Sequence, residues 1–235
     1  KRKYARSVLG IVWSILNPLL FMIVLSLVFS QMFSRNIANF PVYYITGQTM
    51  WTLFSMATKT SMTSLVDNKN LLIKSKLPKQ TFILSRLYTA FVNFLYTCIA
   101  FVAILLFFRI RPTIYTLLFP IPVILCLIFC LGVAYILATI YVFFGDIKHL
   151  YSVFLTMLMY LSAIFYPVER LPDFMQRVVG NNPVYLFIHC ARDCVLNGVM
   201  SHWTVWLKMC IWAFGMLIIG IIVYRHKEND IMQRL

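Results

Sequence analysis

Seven carboxylates, four histidines and six cysteines are the side chains of this 235-residue chain with covalent or proton-transfer chemistry to offer, and their spacing argues against it. General acid–base work needs a titrating group within hydrogen-bond reach of the proton it moves. Asp67, Asp146, Glu169, Asp173, Asp193, Glu228 and Asp230 are instead scattered, all outside the apolar stretches. His149, His189, His202 and His226 have no metal-ligand spacing, so no metal site and no catalytic group is expected. Cys98, Cys126, Cys130 and Cys210 lie within apolar runs, where a thiol packs as a small hydrophobe. Cys190 and Cys194 are one helical turn apart and close enough to touch; packing is the simpler reading. None of the eight glycines opens a Gly-rich loop before Lys-Ser or Lys-Thr, so the chain cannot cradle ATP phosphates itself. Lys59 stands apart as a cation within an apolar stretch. Such a charge either faces a bundle interior or wet cavity, or snorkels to the cytoplasmic surface.

The elements that must position these residues are membrane spans. The chain is 61% hydrophobic and 12% charged with a mean hydropathy of +0.83, where a soluble domain carries about 25% charged residues. A helix needs roughly 20 apolar residues to cross about 30 Å of hydrocarbon. Six stretches qualify in whole or part: Gly10 to Phe33, Val42 to Val66, Thr81 to Phe108, Pro122 to Phe144, Leu150 to Tyr166 and Trp203 to Tyr224. The expected fold is therefore an all-α integral membrane protein with six transmembrane helices in one domain over residues 1–235. No cleavable signal peptide is visible, and because the chain begins without Met a further N-terminal piece is expected.

Basic loops resist translocation, which orients the spans. With Lys1 to Arg6 in the cytoplasm, thirteen Lys and Arg fall on that side and seven on the other, Lys59 apart, so both termini are expected inside. Much of the net charge of +14 is then a topology signal and an attraction to anionic headgroups, and nucleic acid is not an expected partner.

Two loops stand out. The cytoplasmic stretch of about 67–79 reads as a short amphipathic helix stopped by Pro78, with Leu71, Leu72 and Leu77 as an apolar stripe. It is either a basic loop at the headgroups or a helix that docks in a partner's groove. The outer stretch of about 167–202 carries two proline-led segments, Leu171 to Gly180 and Pro183 to Asn197. Pro after Asn is a helix-entry signal. Two short helices on or in the outer membrane face are expected between the fifth and sixth spans. Backbone at that depth must be buried by protein or line a wet cavity.

Four features in order carry a resemblance. They are Tyr4 to Trp13 followed by Asn17-Pro18; Asn70 to Lys79; Phe165-Tyr166-Pro167, Leu171-Pro172, Asn182-Pro183 and Ala191-Arg192-Asp193; and the six-span layout with a long last outer loop. Across nearly its whole length the chain resembles the type-2 ATP-binding-cassette (ABC) export permeases, specifically the polysaccharide and teichoic acid exporters. The amphipathic interface helix that such proteins carry before the first span has no counterpart in this sequence.

The resemblance implies a homodimer in the bacterial cytoplasmic membrane, served by two separate nucleotide-binding subunits that hold ATP and Mg. It implies a cargo of undecaprenyl-diphosphate-linked polysaccharide, of O-antigen, capsule or teichoic acid type. It also makes Asn70, Leu71, Leu72, Ile73, Lys74, Lys76, Leu77 and Pro78 the coupling helix. Sugars stack their C–H faces on aromatic rings, so Trp51, Phe54, Tyr88 and Phe91, with Lys59, are channel candidates. Lys3, Tyr4 and Arg6 are candidates for the lipid diphosphate. Pro172, Pro183, Arg192 and Asp193 are candidates for an outer gate, the last two as a fixed pair or reaching a neighbouring loop. A type-2 drug or lipid exporter is the neighbouring alternative. An intramembrane glycosyl or acyl transferase would need acids or histidines clustered at one membrane face, and a passive channel has no use for a docking helix.

Overall fold

The computed structural model describes residues 16, 19–21, 23, 24, 39–74 and 77–234. From residue 39 onward they form helices joined by short connections. Helix α1 (Phe40–Met62) leads through α2 (Ser64–Asp67) and α3 (Lys69–Lys74) into α4 (Gln80–Phe107). A 3-10 turn (Ile114–Leu118) opens α5 (Pro120–Phe143), and α6 (Ile147–Leu161) follows. After a second such turn (Val168–Arg170) come α7 (Asp173–Gly180), α8 (Pro183–Arg192), a π turn (Asp193–Asn197) and α9 (Trp203–Arg234). No strand occurs among the described residues.

Among the described residues three units are long and apolar enough to cross a membrane: α4, the stretch Ile114–Phe143 that includes α5, and α9. α6 is a shorter apolar helix of 15 residues. Most of the expected first span, Gly10 to Phe33, lies outside the described residues, as do Lys3, Tyr4, Arg6 and Lys76.

Three helix ends are decided by contacts. The apolar run Leu150 to Tyr166 is not one helix: α6 stops at Leu161, and Ala163 turns into the left-handed region at φ 47°. α4 closes with a Schellman pattern in which Arg109 N–H donates to Leu106 O (3.1 Å) and Ile110 N–H to Leu105 O (3.0 Å). Arg109, at φ 54°, holds the place glycine usually fills. α9 continues past Tyr224 to Arg234. There Ile231 is buried with Leu65, Leu72, Phe82 and Ile83, and Lys79 Nζ donates to Glu228 O at 3.0 Å.

α5 is central, packing against α1, α4, α6, α8 and α9. Between helices in lipid the hydrophobic effect gives no net drive, so association depends on close van der Waals packing at small residues. Gly132 of α5 and Gly220 of α9 supply that approach. A methyl group added at Gly132 would overlap the backbone of Met216 and Leu217, and one at Gly220 would overlap the backbone of Gly132. Tyr135 and Tyr224 extend the seam, with ring centres 5.1 Å apart. Gly215 of α9 has no neighbour within 4 Å of such a methyl. Gly132→Ala should therefore lower the unfolding temperature in detergent, overpacking costing about 1–3 kcal/mol, while Gly215→Ala should not. Superimposable melting curves would show that the α5–α9 approach is not needed.

Candidate functional site

Ending α6 at Leu161 leaves carbonyls at its last turn and in the turn beyond it without intrahelical donors, and α8 supplies donors from both of its ends, one to each. Its N-cap Asn182 donates from Nδ2 to Leu161 O and Ser162 Oγ, each at 3.1 Å, while Asn182 Oδ1 accepts from Val184 N–H at 3.0 Å. At the far end Arg192 donates from Nη1 to Ala163 O (3.0 Å), from Nη2 to Ile164 O (3.1 Å) and from Nε to Tyr43 O (3.3 Å). Its guanidinium carbon sits 3.4 Å from the centre of the Tyr43 ring, a cation–π contact. The Tyr43 hydroxyl in turn donates to Tyr166 O at 2.9 Å.

Arg192 is only 4% exposed and makes no ion pair with a carboxylate among the described residues. Aligned carbonyls and a π face take the place of a counter-ion. Gly47 leaves the room, since a Cβ there would lie 2.7 Å from Arg192 Nη2. Burial lowers the Arg192 pKa, but an arginine starts high enough to stay charged. Asp193 turns elsewhere: it accepts from Asn197 Nδ2 (2.8 Å) and Ser201 Oγ (2.5 Å), with His189 Nε2 at 3.5 Å. The two neighbours therefore reach separate loops and do not pair with each other.

A groove of about 270 Å³ runs between α1 and α6. Trp51, Ser55 and Lys59 line it from α1, and Ser152, Thr156 and Met159 from α6. A buried hydrogen bond from Tyr151 Oη to Thr58 Oγ1 at 2.6 Å holds the two helices in register. α6 has a second, apolar side: Tyr151, Phe154 and Leu158 border a separate crevice of about 340 Å³ with Phe129 and Met216. α6 thus divides a polar groove from an apolar one.

The channel candidates separate accordingly. Trp51 and Lys59 share the groove, whereas Phe54 packs beside Trp51 at 5.7 Å and stacks on Phe129 at 6.0 Å, toward the core. Tyr88 is 68% exposed on α4, and Phe91 stacks on Phe94 at 6.3 Å; neither lines the groove.

The coupling stretch is split as well. Leu72 is buried in this chain's own core, while Leu71, Ile73 and Leu77 are exposed, as are Asn70, Lys74 and Pro78. The turn is fastened beneath: Asn68 Nδ2 donates to Ser64 O (2.7 Å), Thr63 Oγ1 donates to Asp67 Oδ2 (2.7 Å), and Arg86 lies 3.7 Å from Asp67. At the other end of the bundle Pro172 precedes α7 and Pro183 opens α8.

Sequence reasoning did not single out Tyr43, Ser152, Thr156 or the capping role of Asn182. Asn182-Pro183 carried a local signal for the cap. The rest had none, since Tyr43 and Arg192 meet across 149 positions of chain.

Long apolar helices beside a groove with hydroxyls and a cation in its wall are the build of a membrane protein. The chain belongs to the ABC-2 type transporter family, which residues 1–196 match. It is similar to the O-antigen export system permease protein RfbA of Klebsiella pneumoniae, 28% identical over 226 residues, 95% of this chain and 86% of that protein. The protein of the same name from Myxococcus xanthus is 33% identical over 173 residues, 74% of this chain and 66% of the relative. The polysialic acid transport protein KpsM of Escherichia coli is 20% identical over 238 residues, 99% of this chain and 91% of that one.

A lysine at 192 would present one ammonium where three separated carbonyls need donors, and each unsatisfied buried acceptor costs about 1–3 kcal/mol. Arg192→Lys should lower the unfolding temperature well below that of Arg177→Lys, a change on exposed α7. Equal melting temperatures would show that the Tyr43, Ala163 and Ile164 carbonyls find other donors.

Proposed function

We propose that the chain is the transmembrane subunit of an ATP-driven exporter of a lipid-linked polysaccharide. The observation that carries this reading is the groove whose wall joins Lys59 to the hydroxyls of Ser55, Ser152 and Thr156, with the largely buried Trp51 at its edge. Relatives named for O-antigen export and polysialic acid transport support the cargo class. On this reading the chain crosses a bacterial cytoplasmic membrane six times with both termini inside. A second copy closes the open side of the groove into a channel. Lys3, Tyr4 and Arg6 stand at the inner mouth for the lipid diphosphate.

Two separate ATPase subunits, holding ATP and Mg, dock on the turn formed by α2 and α3. Leu71, Ile73 and Leu77 are the exposed apolar side chains offered to them, with Lys74 alongside. Leu72 holds the turn to the bundle and Lys79 ties it to α9, so a push on the turn reaches the spans. On the outer side, α7 and α8 with Pro172, Pro183, Arg192 and Asp193 form a gate over the exit.

Two experiments test the reading. Ile73→Asp places a charge in the docking face, so export should stop while ATPase activity and folded yield persist. Leu72→Asp should instead lower folded yield, because the charge enters the chain's own core. Wild-type export by a well-expressed Ile73→Asp complex would refute docking at this turn. For the groove, a photocrosslinker at position 51 should label glycan during turnover, and Trp51→Ala should slow export severalfold with insertion unchanged. Labelling of acyl chains alone would refute the glycan path.

A further inference from the structure

Lys59 stands in the last turn of α1 and points its charge into a groove whose described lining contains no carboxylate. It makes no ion pair and no hydrogen bond among the described residues. Its side chain is exposed on the groove wall, where it is free to meet a charged ligand. Its surroundings have a direction. The Tyr151–Thr58 bond sets the register of two antiparallel helices, so the next residues, Lys59 and Ser152, face the same end of the groove. This is the end that leads into α2 and α3. Trp51 lies eight positions back along α1, about 12 Å by helical rise, with Met159 at its level on α6.

The hydroxyls are not equivalent. Thr156 Oγ1 donates to Ser152 O at 3.2 Å and Ser55 Oγ to Thr52 O at 3.4 Å. The Ser152 hydroxyl makes no such bond within the described chain, which leaves it as a donor beside the ammonium. A cation and a free O–H on one exposed stretch of groove wall offer charge and a donor to an oxyanion.

We propose that Lys59 and Ser152 form an anion subsite at the α2–α3 end of the groove, taking a diphosphate or a sugar carboxylate carried by the cargo. The inference rests on the export reading and adds an anion contact within the groove to the one proposed at the inner mouth. Competition binding to the permease–ATPase complex, in nanodiscs of phosphatidylcholine, tests it with four probes. They are farnesyl diphosphate, farnesol, a glucuronate-containing hexasaccharide and neutral maltohexaose.

The wild-type complex should prefer at least one anionic probe over its neutral counterpart by tenfold or more, with the preference falling as salt rises. Lys59→Gln should abolish that preference and Lys59→Arg should keep it. Dependence on Lys59 for farnesyl diphosphate alone identifies the lipid diphosphate as the anion; dependence for the hexasaccharide alone identifies the sugar carboxylate. Should Lys59→Gln fold poorly, Ser152→Ala on the exposed groove wall should still cut the preference severalfold. Equal anion preference in wild type, Lys59→Gln and Ser152→Ala overturns the subsite. If glycan still crosslinks at position 51 in that case, only the subsite fails; loss of crosslinking as well would take the export reading with it.

Discussion

The three hydrogen bonds from Arg192 to Tyr43 O, Ala163 O and Ile164 O are the contact on which the rest of the bundle hangs. Backbone at bilayer depth must have its polar groups satisfied by protein. A helix can therefore end inside the bundle only where donors await its carbonyls. Asn182, at one end of α8, provides a donor for the last α6 carbonyl, and Arg192, at the other end, satisfies the turn that follows it. The same contacts seat α8 across α1 and α5 and fix where the chain turns between Leu161 and Pro167.

With α6 ended and anchored, its two sides acquire different roles. One packs toward α5 and an apolar crevice, the other faces α1 across hydroxyls, Lys59 and Trp51. The Tyr151–Thr58 bond sets that register from within the core, where a hydrogen bond without competing water holds geometry well. The close seam of Gly132 and Gly220 gives α6 a firm backing, because α9 can approach α5 only where side chains are absent.

The opposite end of the bundle is fastened from within. Leu65 and Leu72 plug into the pocket made by Phe82, Ile83, Tyr135 and Tyr224, and the extension of α9 closes over it through Ile231 and the Lys79–Glu228 contact. The ion pairs on this surface, Lys79–Glu228 at 3.7 Å and Arg86–Asp67 at 3.7 Å, are partly exposed and add little alone. Burial of the leucines does the fastening. What remains outside is a small apolar and basic face on a turn that cannot move without moving α1, α4 and α9.

Much of this was legible in the sequence because it is local. Apolar run length marked α4, α5 and α9, Asn182-Pro183 marked the start of α8, and Pro78 marked the break before α4. The family resemblance rested on such short signals in order. Amphipathic spacing found the α3 turn but not which leucine turned inward: Leu71 and Leu72 are chemically identical neighbours, and only the Phe82–Tyr224 pocket chose between them. Apolarity likewise carried the fifth run to Tyr166, since no local rule stops a helix at Leu161. Residue 182 caps its end and residue 192 holds the turn beyond it, both distant in sequence. Trp51 and Lys59 declared themselves by type. Their sharing of one groove with Ser152 and Thr156, and the absence of Tyr88 and Phe91 from it, was decided by the packing of α1 against α6. A sequence determines which faces are apolar and where the chain can turn; which face meets which partner is a property of the whole fold, because it depends on the shape and donors of elements more than 90 residues away.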